Sequence, residues 1–321
     1  MTVKELIARS KAAQAAFAFA TQEQADAAAR AICKVVYDNA EKLGPMAAEE
    51  SRMGSEQDKI AKCRNKSALI WESLKDKKSC DIINRIEERR MIEVAKPVGV
   101  VASIIPSTNP VVTPMSNGAF ALKCRNSVIF APHPRAVKCT KLLVEMFRAE
   151  LKKLGLPEDL VLGLEEVSND LTSELMSAAD MVVATGGMGM VKAAYSSGKP
   201  AIGVGQGNVQ CIIDEDADIA DAVGKIIIGR AFDNGLICLG EQTVFVPEDK
   251  EAEFVAEMKK QGGYLVEGEE NVDKLREGLF PGGDAFSRVV VGMFADQVSD
   301  EIGLGAPKGT RVLFAKAKAL G

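Results

Sequence analysis

VGVVASIIP, residues 98–106, is an almost unbroken run of β-branched and apolar residues. A strand with one wet face alternates apolar and polar side chains, so a run without alternation marks a strand buried on both faces. The texture returns downstream in SVIFAP (127–132), LVLGL (160–164) and MVVAT (181–185). Helical stretches separate these runs: one around Ser116–Lys123, one over Arg135–Lys153 closed by Gly155 and Pro157, one over Ser168–Ser177, and one from GGMGM to Ser197. Strands alternating with helices through short connections predict an α/β fold with a parallel sheet and right-handed crossovers. Such sheets bind ligands beyond the carboxyl ends of their strands.

Upstream of that stretch, the first ninety residues read as helical. Thr21 followed by Gln24 is a capping box, and Ala25, Ala28, Ala29, Ile32, Cys33 and Val36 then recur at helical spacing. Gly44 and Pro45 are expected to stop this helix, and a second helix is expected from roughly Asp58 to Leu74. Downstream, after about Ile237, the sequence reads as a second α/β unit. TVFVP (243–247) and SRVVVGM (287–293) are expected strands, Glu251–Gln261 an expected helix, and RVLFAKAKALG (311–321) ends the chain on an apolar strand. The expected domains are 1–236 and 237–321.

The chain has 321 residues, 47% hydrophobic and 26% charged, with a formal net charge of −5. That mild acidity disfavours nucleic acid and anionic membrane as partners. There are seven cysteines, none in CxxC spacing, and a single histidine, His133. These predict a reducing, cytoplasmic setting with neither a disulfide framework nor a zinc cluster. The N-terminus reads as mature protein, and no apolar stretch is long enough to span a membrane.

Several segments can carry chemistry. In DNGLICLGEQ (233–242), Cys238 lies among apolar neighbours, with Gly235 and Gly240 allowing close backbone approach. A thiol beside free backbone N–H groups can attack a carbonyl and have the oxyanion stabilised. Taken alone, a cysteine in an apolar run is more often a core residue. In IIPSTNPVVTP (104–114), Asn109 is an uncharged donor just past a strand, suited to an oxyanion hole, although Asn-Pro also starts ordinary turns. TGGMGM (185–190) joins a strand to a helix, where glycines let a phosphate approach free N–H groups. It lacks the full dinucleotide-binding glycine pattern, and a bare turn explains it equally well. IGVGQGN (202–208), with Val204 and Gly205, is a close-packed turn or a pocket wall. APHPRA (131–136) holds His133, Pro134 and Arg135, which can meet ribose or phosphate or stand as a solvated connector.

Taken in order, STNP, APHPRA, TGGMGMVKAAYSSGKPAIGVGQGN and FDNGLICLGEQ resemble the CoA-acylating branch of the aldehyde dehydrogenase superfamily, which includes the aldehyde half of aldehyde–alcohol dehydrogenases. The resemblance runs from about Lys4 onward. Around NPVVTPMSN it is closest to succinate-semialdehyde and sulfoacetaldehyde dehydrogenases. It implies an aldehyde dehydrogenase-like fold: a parallel Rossmann-type sheet domain plus a second, incomplete α/β catalytic domain, since members of the family continue for about another domain's length. It implies a homo-oligomer when full-length and small-molecule aldehyde and acyl-CoA as ligands. It makes Cys238 the nucleophile and Asn109, with the Cys238 backbone N–H, the oxyanion hole. Ile105, Pro106, Ser107 and Thr108, with Thr185, Gly186, Gly187 and Met188, would line the cleft for NAD or NADP, and His133 and Arg135 would sit near its adenosine end.

Two departures from hydrolytic aldehyde dehydrogenases refine this. Those enzymes carry a water-activating glutamate in the segment matching Ala201–Gly207, whereas AIGVGQG holds no acid, which suits transfer to coenzyme A over hydrolysis. HPRA likewise holds no carboxylate to select NAD against NADP. Two alternatives stay open: an acyl-phosphate reductase resembling glutamyl-phosphate reductase, separable by its independence of CoA, and an inactive cofactor-binding module.

Overall fold

The structure is a computed structural model describing residues 1–283 and 285–317. It divides into two compact units, one of Met1–Ser51 with Lys59–Gln206 and the other of Arg52–Asp58 with the residues from Gly207 onward.

The first unit opens with the helices α1 Val3–Phe17, α2 Gln22–Asp38 and α3 Ala40–Ser51, and takes α4 Glu56–Leu74 from Lys59 onward. Capping boxes start the first two, Thr2 with Glu5 and, as expected, Thr21 with Gln24. The small apolar stripe of α2 is buried, and its Ile32 packs close to Gly118. Gly44 and Pro45 do not stop α2; both lie inside α3, and the break falls at Asn39, whose N–H and side-chain amide both donate to Val35 O. Gly44 is needed for packing, because a Cβ there would stand 2.6 Å from Ile60 Cγ1 on α4.

The helical expectation also fails at residues 81–95. These form an antiparallel hairpin of β1 Asp81–Ile86 and β2 Met91–Ala95, turned through left-handed Arg90. Helix α4 ends at Leu74, and Ile82, Ile83, Met91, Ile92 and Val94 of the hairpin are exposed.

The rest of the unit alternates as expected: β3 Val100–Ile105, α5 Val112–Lys123, β4 Ser127–Pro132, α6 Val137–Lys153, β5 Val161–Gly163, α7 Asn169–Ala178, β6 Met181–Thr185, α8 Met188–Tyr195 and β7 Ala201–Val204. The five strands form one wholly parallel sheet in the order β5-β4-β3-β6-β7. Strand β3, the stretch that announced the fold, is central and buried along its whole length. One apolar cluster joins it to α2, α5 and α6; another joins its opposite face to α1, α7 and α8. Chain order reverses direction between β3 and β6, the point where open α/β sheets leave a crevice beyond their carboxyl ends.

The second unit contains β8 Gln210–Ile212 paired in parallel with β9 Thr243–Phe245, and β10 Gly263–Leu265 paired in parallel with β11 Val312–Phe314. Its helices are α9 Ile219–Ala231, α10 Glu251–Lys260, α11 Glu269–Leu279 and α12 Ala295–Ile302. The first unit ends at Gln206, thirty residues before the boundary expected at 236. The reason is α9, whose Ile219, Val223, Ile226 and Ile227 share a core with Phe254, Met258 and Val312. The expected strand at 287–293 is a series of turns instead. It has no partner strand among the described residues, and Gly292 is left-handed at φ +77°. The expected terminal strand is β11; residues 318–321 lie outside the described residues.

Candidate active site

The carboxyl edge of the first unit's sheet collects most of the residues singled out above. Strand β3 ends at Ile105 and delivers Pro106, Ser107, Thr108 and Asn109, all half-buried, before α5. Strand β4 ends at Pro132, and the His133 N–H donates to Ile105 O at 3.1 Å, which keeps these two loops side by side. His133 caps the short turn Pro134–Ala136, its Nδ1 accepting from Arg135 N, and His133, Pro134 and Arg135 are exposed. Strand β6 ends at Thr185 beside Val204 of β7, and Gly186 N–H donates to Val204 O at 3.1 Å. Gly187 then caps α8, and nothing lies within 4 Å of where a Cβ would stand on Gly187 or Gly189. A phosphate can therefore approach the N–H groups at the start of α8 directly, which fits the nucleotide implied by the sequence. On the opposite side of the turn the packing is tight: a Cβ on Gly205 would meet Met188 Sδ at 2.7 Å.

Three residues at this edge were not anticipated. Lys59 and Lys62 on α4 are only 3% and 4% exposed. Lys62 Nζ donates to Asn109 Oδ1 at 3.0 Å, and Lys59 Nζ donates to Thr108 O at 3.4 Å. The signal was present: lysines at 59 and 62 share a helical stripe with buried Cys63 and Ser67, where a charge needs a partner. The third is Glu50 of α3, whose carboxylate accepts from Lys138 N at 2.6 Å and Cys139 N at 2.8 Å, capping α6. No local pattern could have shown it, because cap and helix lie far apart in sequence.

Cys238 belongs to the second unit and is exposed. It follows three consecutive left-handed residues, Asp233 at φ +50°, Asn234 at +54° and Gly235 at +72°. The first two tolerate this region better than most residues do, but the run still costs free energy and needs restraint. The restraint is dense. Asp233 is fully buried; its N–H donates to Asp58 Oδ2 at 2.9 Å and its Oδ1 accepts from Ser55 N at 3.2 Å. Asn234 Nδ2 and Gly54 N both donate to Gly292 O, at 2.8 and 2.9 Å. The turns at 287–293 thus serve as an acceptor for the cysteine loop.

Arg230 lies beneath this turn, so that a Cβ on Gly235 would stand 3.0 Å from its Cζ. Burial lowers the Arg230 pKa, with Glu241 acting in the opposite sense. A cleft of about 850 Å³ opens beside the turn, with Arg230, Asn234, Leu236, Phe286 and Met293 among its walls. All seven cysteines are free thiols. Burial pushes the Cys33 thiol up to about 12 and raises Cys139 as well, which leaves both as inert thiols. The segment Ala201–Gly207 contributes no acid.

Residues 1–274 match the aldehyde dehydrogenase family. The acetylating succinate-semialdehyde dehydrogenase of Clostridium kluyveri is 47% identical over the whole chain, which spans 71% of that protein. The chain belongs to the aldehyde dehydrogenase family. Its fold is that of solved aldehyde dehydrogenases. An acetylating aldehyde dehydrogenase from Geobacillus thermoglucosidasius superposes with a TM-score of 0.93 at 38% identity, over 99% of this chain and 71% of that one. The propionaldehyde dehydrogenase of Rhodopseudomonas palustris with bound propionyl-CoA gives 0.86 at 30% identity, over 98% and 70%. The expected resemblance to the acylating branch of the aldehyde dehydrogenases is borne out. Members of that branch are oxidoreductases that turn an aldehyde and CoA into an acyl-CoA with NAD(P) as the redox partner.

Proposed function

We propose that Cys238 is the nucleophile of a CoA-acylating aldehyde oxidation and that Asn109, with the Cys238 backbone N–H, holds the oxyanion. The observation that carries this reading is an exposed thiol directly after a densely restrained left-handed turn, in a chain whose 201–207 segment lacks any acid. Cys238 gives up its proton to solvent, its thiolate Sγ bonds to the aldehyde carbon, and the carbonyl oxygen takes up the displaced electron pair. Donors aimed at that oxygen stabilise it because the charge develops only in the transition state. Bound NAD(P)+ supplies the hydride acceptor. Loss of hydride from the same carbon restores the carbonyl as a thioester on Cys238. The thiolate of CoA then displaces Cys238 and leaves as acyl-CoA. Water competes poorly, because Ala201–Gly207 offers no base to activate it.

Ile105, Pro106, Ser107, Thr108, Thr185, Gly186, Gly187, Met188, Val204 and Gly205 form the cofactor side of the site in this reading. His133, Pro134 and Arg135 stand at its adenosine end, with Arg135 able to meet a phosphate. The shared carboxyl edge of β3, β4, β6 and β7 supports the grouping. The substrate is an aldehyde of the class that relatives handle, with succinate semialdehyde, sulfoacetaldehyde and acetaldehyde as candidates. Seven free thiols suit a cytoplasmic enzyme. Exposed Ile82, Ile83, Met91, Ile92 and Val94 on β1 and β2 suit a homo-oligomer.

The test is NAD(P)H formation from these three aldehydes with and without CoA. CoA-dependent formation is expected. Equal formation without CoA overturns the argument from the missing acid, and no formation with any of them overturns the reading.

A further inference from the structure

We propose that Lys62 is a positioning residue that orients the Asn109 amide so that it presents N–H, rather than oxygen, to the reacting carbonyl. The inference rests on the reading of Asn109 as oxyanion donor and extends it to a residue on another element. A side-chain amide is ambivalent: one end accepts, the other donates, and a half-turn about its last bond exchanges them. An oxyanion is stabilised by one orientation and repelled by the other. An ammonium group only donates. Lys62 Nζ lies 3.0 Å from Asn109 Oδ1, so it accepts one orientation of the amide and rejects the other.

The rest of the local geometry agrees. Asn109 Nδ2 donates one N–H to Thr108 Oγ1 at 3.2 Å, which leaves the second N–H for a ligand. The Asn109 carbonyl oxygen accepts from Thr113 N at the start of α5, fixing the backbone beneath the side chain. Lys59, one helical turn before Lys62, donates to the carbonyl of Thr108. Two ammonium groups from one face of α4 therefore hold two consecutive residues of the loop after β3. At 4% exposure the Lys62 charge is little screened by water, so its bond to Oδ1 is a strong, charge-assisted one. Drawing electron density toward Oδ1 also makes the Nδ2 hydrogens better donors. A solvated lysine would do neither.

The experiment is a double-mutant cycle on the full chain with Lys62→Met, Asn109→Ala and both together. It reads kcat and KM for the best aldehyde in the presence of CoA, alongside the rate of Cys238 alkylation by iodoacetamide. Asn109→Ala is expected to lower kcat about 10²- to 10³-fold. Lys62→Met is expected to lower it about 10- to 100-fold, with KM and alkylation within about threefold of wild type. In the Asn109→Ala background the same replacement is expected to cost less than about threefold, because there is no amide left to orient. Losses that multiply in the double variant, or alkylation that falls in step with kcat, reveal a merely structural lysine and overturn the proposal. An unchanged kcat in an active protein overturns it alone; a wild-type chain without aldehyde-dependent turnover overturns it together with the proposed function. Should Lys62→Met fail to fold, Lys62→Gln carries the test. Glutamine can accept as well as donate, so it no longer selects an orientation; a loss of about fivefold or more is expected, and none overturns the proposal.

Discussion

The loop after β3 and the turn before Cys238 are held in opposite ways. Thr108 and Asn109 keep ordinary backbone geometry and are fixed by buried cations from a neighbouring helix. Asp233, Asn234 and Gly235 are fixed by their own left-handed backbone, and what surrounds them is acceptors and N–H groups that lock that shape. The first restraint is electrostatic and lives in side chains; the second is conformational and lives in the main chain. A donor that must point one way can be aimed by a charge, whereas a nucleophile carried on a sharp turn needs the chain itself to bend.

Cys238→Ala is expected to cost turnover about 10⁴-fold or more, because it removes the atom proposed to react while leaving both restraints in place. Mass spectrometry should find no acylated protein in this variant after incubation with acyl-CoA, and an acylated species would reassign the nucleophile. Gly235→Ala attacks the conformational restraint directly. The new methyl group would enter a left-handed residue at φ +72° and stand 3.0 Å from Arg230 Cζ. A destabilisation of about 1–3 kcal/mol is expected, read as a lower urea midpoint; an unchanged midpoint would mean the turn is not under that restraint.

The half-buried pairing of Asp159 with Arg9 is an electrostatic restraint closer to solvent than that of Lys62. Asp159 accepts from Arg9 at 2.7 and 2.8 Å and from Arg148 at 2.6 Å. The hydrogen bond from Arg9 lowers its pKa below the ordinary 3.8, burial opposes, and Arg148 lowers it further. A carboxyl depressed by folding stabilises above its unfolded pKa, and that contribution fades as pH falls below 3.8 and through the folded value. Asp159→Asn should therefore lower Tm by about 1–2 °C at pH 7 and show a smaller difference as the pH drops toward 3. A difference that grows toward acid would reverse the sign of this argument.

What the sequence disclosed follows from range. Strands β3 and β4 were legible because each is buried on both faces, which forces a continuous apolar run; β6, whose residues are alternately buried and half-buried, was legible from the same apolar texture, and the edge the three share follows from their order. The Thr21–Gln24 cap was legible because both partners lie within one turn. The hairpin at 81–95 was missed because charged residues interrupt it, and the run at 287–293 misled because apolar residues there find no partner strand. Gly44 and Pro45 read as a stop although the helix continues, since the decisive neighbour, Ile60, is remote in sequence. At the candidate site, Asn109 and Cys238 stood out by motif. The groups that hold Asn109 and the turn before Cys238, Lys62 and Asp58, did not, because each acts on a residue far along the chain.

The centrality of β3 also governs the order in which the protein can be made. Its pairing with β6 sets Val101 against Met181, so the strand is synthesised some eighty residues before its second neighbour exists. At about 5–20 residues per second that is an interval of roughly 4–16 s. Throughout it, VVASII, six residues without a single charge, has an open edge of the kind that recruits other strands. The segment most informative about the finished fold is therefore also the one most exposed to misassembly while the ribosome is still working.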